Sequence, residues 1–360
     1  MIKHGSMKML ILGLSITSSW GNGHAVTYRS LVRHLSARGH DVFFLERDVP
    51  RFSTNRDLPV PPYCRTELYT SLEDLRTRFT AAVRAAHFVM VGSYVPDGVS
   101  VAQWIFDNAR GVLAFYDIDT PVTLAKLRRS DYEYLHPDLI PYYDIYFSFT
   151  GGPILHRIEV EYGSPLALPL YCSADPELYF PERGSPQYDL GYMGTYSIDR
   201  QPPLDSLLLE PARQWESGRF VVAGPQYPQS IVWPGNVTRI EHLAPTSHRE
   251  FYCSQRFTLN VTRSDMIQAG FSPSIRLFEA AACGTPIISD RWEGLDTFFE
   301  PGKEILISDS AQQSLHLLQR MSEAERMTIG EAARHRVLHE HTAAHRARAI
   351  EESIHAVRAR

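Results

Sequence analysis

The segment Ser272-Pro273-Ser274-Ile275-Arg276-Leu277-Phe278-Glu279-Ala280-Ala281-Ala282-Cys283-Gly284-Thr285-Pro286-Ile287-Ile288-Ser289-Asp290 reads as a helix followed at once by a strand. Ser272 or Ser274 can cap the helix, and its free N–H groups and dipole favour a phosphate. Arg276 in the first turn adds charge-assisted donors for the same anion. Glu279 lies about 300° further round the helix, so the two side chains are neighbours on one face. A carboxylate one turn below a phosphate can reach a ribose diol. The bland alternative is that Glu279 merely pairs with Arg276 on a solvated face. Gly284 stops the helix, and the next strand ends at Ser289-Asp290.

The same alternation extends in both directions. Met9–Leu14, Val42–Leu45, Phe88–Val91, Val112–Tyr116 and Ile145–Phe149 are short apolar runs of strand type. Leu190–Met193, Phe220–Ala223, Thr258–Val261, Pro286–Ser289 and Ile305–Ile307 repeat them in the second half. Amphipathic segments such as Ala25–Ala37 and Leu72–Ala85 lie between, which predicts parallel sheets covered by helices. Ser173–Gln187, with Pro176, Pro181, Gly184 and Pro186, reads as a linker. The expected organisation is an N-terminal domain over 7–172, a linker over 173–187, a C-terminal domain over 188–340 and a terminal helix over 341–360. The fold class is α/β, two doubly wound domains facing a cleft, with a helical tail. The ligand site belongs at the carboxyl ends of the strands.

At 360 residues the chain is long enough for two cores, and 36 Lys+Arg against 41 Asp+Glu give a net charge of −5. That balance shows no nucleic-acid footprint. No apolar run reaches the roughly 18 residues of a membrane span, and Met9–Leu14 reads as a strand rather than a signal peptide. The residues before Met7 are read as an extension ahead of the native start. Cys64, Cys172, Cys253 and Cys283 form no CxxC pair, so reduced thiols in a cytoplasmic protein are expected, and the sequons at Asn236 and Asn260 carry no meaning.

Two loops of the first half carry candidate chemistry. The first strand is followed by a glycine-rich stretch with Gly21, Gly23 and His24, ahead of a helix. Gly21-x-Gly23 with Glu46 on the second strand suggests a dinucleotide fingerprint. The glycines, however, stand about seven residues past the strand, and Val26 occupies the third glycine position. After Val112–Tyr116 comes Asp117-Ile118-Asp119-Thr120-Pro121. Such a pair can hold a hard cation on a diphosphate or supply the base for an acceptor hydroxyl, or Asp119 can simply cap the helix.

The chain resembles nucleotide-sugar glycosyltransferases of the GT-B fold, with two facing Rossmann-like domains, and more narrowly the spore-maturation-protein (CgeB-like) family. The motifs are Ser274–Asp290, the adjoining Trp292–Glu304, Gly191–Arg200 at the opening of the second domain, and Asp117–Pro121. The resemblance implies a bacterial-type, metal-independent transferase. Its co-substrate would be a nucleotide-diphosphate sugar, with no cofactor and an acceptor of unknown class. It places Glu279 on the ribose and Ser274, Ile275 and Arg276 at the diphosphate, with Gly194, Thr195 and Arg200 facing the same phosphates. Related retaining enzymes carry a carboxylate eight residues before the ribose glutamate, where this chain has Phe271. Arg263, Asp265, Gln268 or Glu293 could compensate. Asp119, Asp117 and His24 are then the acceptor-side base candidates, with Gly21 and Gly23 beside them. The competing readings are a nucleotide-sugar-binding protein without catalysis and an NAD-linked oxidoreductase.

His335, His339, His341 and His345 are read as a solvated helix face because arginines surround them. Tyr142-Tyr143 and Tyr146-Phe147 are read as core or acceptor-side aromatics, and Trp233–Asn236 as a turn.

Overall fold

The computed structural model describes residues 5–20 and 23–360. Gly21, a sequence candidate, lies outside the described residues. The chain divides into two units, one running to Cys172 and including Ala343–Arg360, the other spanning Ser173–Thr342.

The first unit holds a fully parallel seven-stranded sheet. Its strands are β1 (Lys8–Gly13), β2 (Asp41–Arg47), β3 (Arg65–Tyr69), β4 (Phe88–Gly92), β5 (Val112–Asp117), β6 (Ile145–Ser148) and β7 (Ala167–Pro169), in the order β3-β2-β1-β4-β5-β6-β7. Every residue of β4 and β6 is buried, as expected for strands covered by helices on both faces. The order reverses between β1 and β4, whose registers pair Met9 with Phe88 and Leu12 with Val91. Loops leaving the carboxyl ends of these two strands therefore diverge, which opens a site.

The second unit repeats the plan with six parallel strands. These are β8 (Tyr188–Met193), β9 (Phe220–Ala223), β10 (Val237–Ile240), β11 (Gln255–Asn260), β12 (Ile287–Ser289) and β13 (Leu306–Ile307), in the order β10-β9-β8-β11-β12-β13. Here the reversal falls between β8 and β11. The Ile275–Ala282 helix is buried from Arg276 to Ala282, so the solvated-face reading of Arg276 and Glu279 is overturned.

β3, β7 and β10 were not foreseen from the sequence, and all three are sheet edges. An edge strand pairs on one side only and is commonly short or polar. Arg65-Thr66-Glu67 in β3 shows no apolar run for that reason.

The terminal helix, Ala343–Arg358, belongs to the first unit. Ala347, Ile350 and Ile354 enter the core formed with Leu31, Val32 and Leu35. Fully burying each isoleucine contributes roughly 2 kcal/mol. Glu351 on the same helix accepts from Arg38 Nε and from His40 Nε2, each at 2.6 Å, with its side chain almost fully buried. The Pro-containing stretch from Ser173 is part of the second unit: Ala174 bridges to Thr342, Arg249 pairs with Glu182, and Tyr179 is buried.

Candidate functional site

In the second unit Asn260, the last residue of β11, joins the loops together. Its carboxamide oxygen accepts from Ser274 Oγ and Arg276 Nη1, both at 2.8 Å. Its amide donates to Ser289 Oγ at 2.9 Å and Thr262 Oγ1 at 3.1 Å. Ser274 occupies the N-cap position, but with its hydroxyl drawn to Asn260 its side chain makes no capping bond. Leu277 N–H bonds the Ser274 carbonyl at 3.1 Å, and no side chain caps the N–H groups of Ile275 and Arg276 before it. Thr262 is fixed by Asp290 through its N–H at 2.7 Å and its hydroxyl at 2.8 Å. Burial raises the Asp290 pKa, and these two bonds oppose the rise.

Arg276 reaches across to the end of β8, where its Nε donates to the Met193 carbonyl at 2.8 Å. Its guanidinium lies 4.8 Å over the Tyr192 ring. Gly194 follows at once. A Cβ there would stand 2.6 Å from Tyr192 Oη and 3.1 Å from Arg276 Nη2, so any larger residue has to displace these two side chains. Arg200 closes the loop by donating to Thr195 O and to Ser197 Oγ. Its pKa is lowered, first by burial, with the charges of Arg276 and Arg263 adding to the effect. None of these three arginines forms an ion pair among the described residues. Arg276 stands in the first turn of the helix, and the charges of Arg276 and Arg263 both act on Arg200, so cations gather at this end of the sheet, an arrangement that suits an anion.

One turn into the helix, Glu279 is only 2% exposed and accepts from Tyr252 Oη at 3.0 Å. Burial raises its pKa, while His248, Tyr179, Tyr252 and Arg276 pull the other way. Tyr179, Tyr252 and Asn260 escaped the sequence reading. A polar residue closing an otherwise apolar strand was the one available signal for Asn260. Because Asn260 is fully buried and bonded, its sequon is inaccessible.

Of the four residues that could replace the carboxylate missing at Phe271, Glu293 is the one placed against it. Phe271, at φ +46°, donates its N–H to the Glu293 carbonyl at 2.7 Å. Its ring covers Gly294, and Glu293 Oε2 lies 3.5 Å from where a Cβ on Gly270 would stand. Arg263, Asp265 and Gln268 lie exposed at or on the Ser264–Ala269 helix.

In the first unit, His24 and Asp119 meet with Nε2 and Oδ2 3.5 Å apart, their side chains 12% and 35% exposed. Asp119 precedes the Thr120–Arg128 helix without a side-chain capping bond, so the cap is not what orients its carboxylate. The Tyr94 ring, on the loop leaving β4, meets the His24 ring edge-on at 5.3 Å. Asp117 is fully enclosed: Oδ1 accepts from Thr123 Oγ1 and Oδ2 from Tyr146 Oη, both at 2.6 Å. Burial pushes its pKa up to about 6; the Thr123 and Tyr146 bonds oppose this, and the charge of Asp119 adds to it. Tyr143, Tyr146 and Phe147 are core, and Tyr142 is exposed.

The loop after β1 is held by carboxylates. Glu46 accepts the N–H groups of Ile16 and Thr17 at 2.7 and 2.9 Å and the Thr17 hydroxyl at 2.7 Å. Asp57 takes the Ser19 N–H and hydroxyl together with both guanidinium nitrogens of Arg29. Glu46, the residue a dinucleotide reading would set on a ribose, is therefore occupied by its own loop. A Cβ at Gly23 would meet nothing within 4 Å, so no close approach requires glycine there.

Among the late histidines, His335 and His339 stack with ring centroids 3.9 Å apart on an exposed face. His341 departs from the solvated reading: it is buried, with its ring 5.0 Å from Phe278. Among the described residues no cluster of three or more potential metal ligands forms, all four cysteines are free thiols, and no helix is long and apolar enough to cross a membrane. In the Trp233–Asn236 turn, Asn236 donates to the carbonyls of Ala212, Trp215 and Gly218.

Residues 200–352 match a family model described as glycosyl transferase-like. No curated protein matches the chain significantly. Among solved structures, sucrose-phosphate synthase from Thermosynechococcus elongatus is similar at TM-score 0.69 and 15% identity, over 98% of this chain and 99% of that one. HepE from Anabaena, in complex with UDP and glucose, gives 0.71 and 14%, over 97% and 100%. A glycosyltransferase from Rickettsia africae gives 0.66 and 10%, over 98% and 99%. The chain has the GT-B fold, and its residues 200–352 are similar to the glycosyl transferase-like family.

Proposed function

We propose that the protein transfers a sugar from a nucleotide-diphosphate sugar to an acceptor hydroxyl, without a metal ion and with inversion at the anomeric carbon. The observation that carries this reading is Arg276 in the first turn of a helix whose N-cap side chain makes no capping bond, with Arg200 and Arg263 near enough for their charges to act together with it. Those groups bind the diphosphate and stabilise the charge it gains on leaving, the part a metal plays in other transferases. Glu279 takes the ribose diol. The likeness of HepE, solved with UDP and glucose, supports a uridine nucleotide as the first donor to try. Ser274–Asp290 supports placing the chain in the spore-maturation-protein branch, and its free cysteines suit a cytoplasmic enzyme.

The base is the His24–Asp119 pair. The acceptor oxygen attacks the anomeric carbon while its proton passes to the imidazole. The bond from that carbon to the diphosphate breaks, and its electron pair leaves on the diphosphate oxygen. Asp119 orients the ring and stabilises the imidazolium, and an imidazole is better matched than a carboxylate to proton transfer near neutral pH. Asp117 is a positioning residue that braces the loop through Thr123, Tyr146 and the Asp119 N–H. Phe271 leaves no carboxylate where retaining relatives carry one, which favours inversion. Glu293, beside Gly270, holds a donor-sugar hydroxyl.

Calorimetry of the nucleoside diphosphate with Glu279→Ala tests the donor assignment: weaker binding is expected, and unchanged affinity removes Glu279 from the site. The anomeric configuration of the product, read by proton NMR, tests the mechanism, since retention contradicts the base assignment.

A further inference from the structure

The donor-side and base residues lie at the carboxyl ends of the strands. At the opposite ends of β4, β5 and β6 the first unit has a cavity of about 510 Å³, lined by Arg84, His87, Arg110, Asp144 and Arg358, among others. Gly111 explains how these residues come together. A Cβ there would stand 2.4 Å from the His87 carbonyl carbon and oxygen, so the loop entering β5 lies directly on the backbone entering β4.

The hydrogen bonding of this cavity is unbalanced. Arg84 Nη2 donates to Asn108 Oδ1 and Arg358 Nη2 to the His87 carbonyl, each at 2.9 Å. Arg110 makes no hydrogen bond or ion pair among the described residues. The single lining carboxylate, Asp144, already accepts the Leu113 N–H at 2.7 Å. Arg84, His87, Arg110 and Arg358 are all exposed, and each guanidinium offers five N–H donors, so most donors here face solvent and are open to a ligand. Several guanidiniums elsewhere on this unit are matched with acids, as in Arg29–Asp57, Arg47–Asp97 and Arg56–Asp48, while others, such as Arg51, Arg76 and Arg128, form no ion pair among the described residues. Helix dipoles account for Arg84 and Arg358, which stand in the last turns of their helices. They do not account for Arg110, beyond the end of the Gly98–Asn108 helix.

We propose that this cavity is a second anion site, taking a small molecule that carries two or more linked phosphates. Several separated guanidiniums suit a multiply charged anion better than a single phosphate. The volume also falls in the range of small-ligand sites. Arg358 comes from the terminal helix, so a ligand here ties that helix to the sheet and raises the apparent stability of the chain. The site is independent of donor binding in the second unit.

The test is calorimetric titration of inorganic tripolyphosphate into the full chain and its variants. Binding should persist in Arg276→Ala, which disables the donor site. It should weaken about tenfold or more in Arg110→Ala/Arg358→Ala and measurably in Arg110→Ala alone, which breaks no intramolecular bond and so guards against loss of fold. Unchanged binding in the Arg110 variants overturns the proposal. Equal affinity for citrate, lost in the same variants, overturns the phosphate assignment. Binding of a short DNA duplex in place of tripolyphosphate overturns the small-ligand assignment.

Discussion

Asp119 could have been a helix cap or part of a base, and its side chain makes no capping bond but stands 3.5 Å from His24. If the pair removes the acceptor proton, His24→Ala should lower transfer by roughly 10²–10⁴-fold. Asp119→Asn should also lower it severely, and both should leave nucleotide affinity intact. Steady-state rates alongside calorimetry separate these effects, and normal turnover by either variant contradicts the role. Asp117 makes a different prediction. Its folded pKa of about 6 stands above the ordinary value of 3.8, so the protonated form favours the fold. That contribution is complete below pH 3.8 and is lost as pH rises through 6, on the order of 2–3 kcal/mol in all. Urea unfolding of Asp117→Asn should therefore gain on the wild type by about that amount between pH 4.5 and 7.5. A pH-independent difference would show that the carboxyl does not titrate in this range. Arg276, Ser274 and Glu279 were legible because they fall at helical spacing beside a strong stop signal. Asn260, Tyr179 and Tyr252 were not, since their partners are distant in sequence and their own neighbours look like ordinary core.

At the scale of elements, central strands were readable because burial on both faces demands continuous apolar runs. The edges β3, β7 and β10 lack that demand and left little pattern. The start of the Glu323–Glu340 helix carries a reciprocal Ser322–Glu325 capping box, a local device visible in sequence. The docking of the terminal helix was not visible: Ala343–Arg358 looks like a free tail, yet its Ile350 and Ile354 complete the core of the first unit. Glu351 there joins Arg38 and His40, some 310 residues away in sequence. Removing one member of a buried charged pair leaves the other uncompensated, typically costing 3–5 kcal/mol. Arg38 is 34% exposed and is partly solvated once freed, so Glu351→Ala should lower the unfolding free energy by about 2 kcal/mol in urea. A loss below about 1 kcal/mol, the level of an exposed pair, would mean the helix is not anchored there.

For the whole molecule, a net charge of −5 says nothing about either proposed anion site, because each proposal rests on a few arginines held by local backbone geometry. Two parallel sheets have a reversal of strand order in each, at β1/β4 and β8/β11, the place where ligands bind in open α/β sheets. The β8/β11 reversal is where the proposed nucleotide diphosphate would sit. In the proposed function the second unit binds such a nucleotide through Arg276 and the helix it opens. Its most direct test is calorimetric titration of UDP, GDP, ADP and dTDP into the full chain and into Arg276→Ala. At least one of these nucleotides should bind one-to-one, weakened about tenfold or more by the substitution. Failure of all four to bind, or equal affinity in the variant, would contradict it.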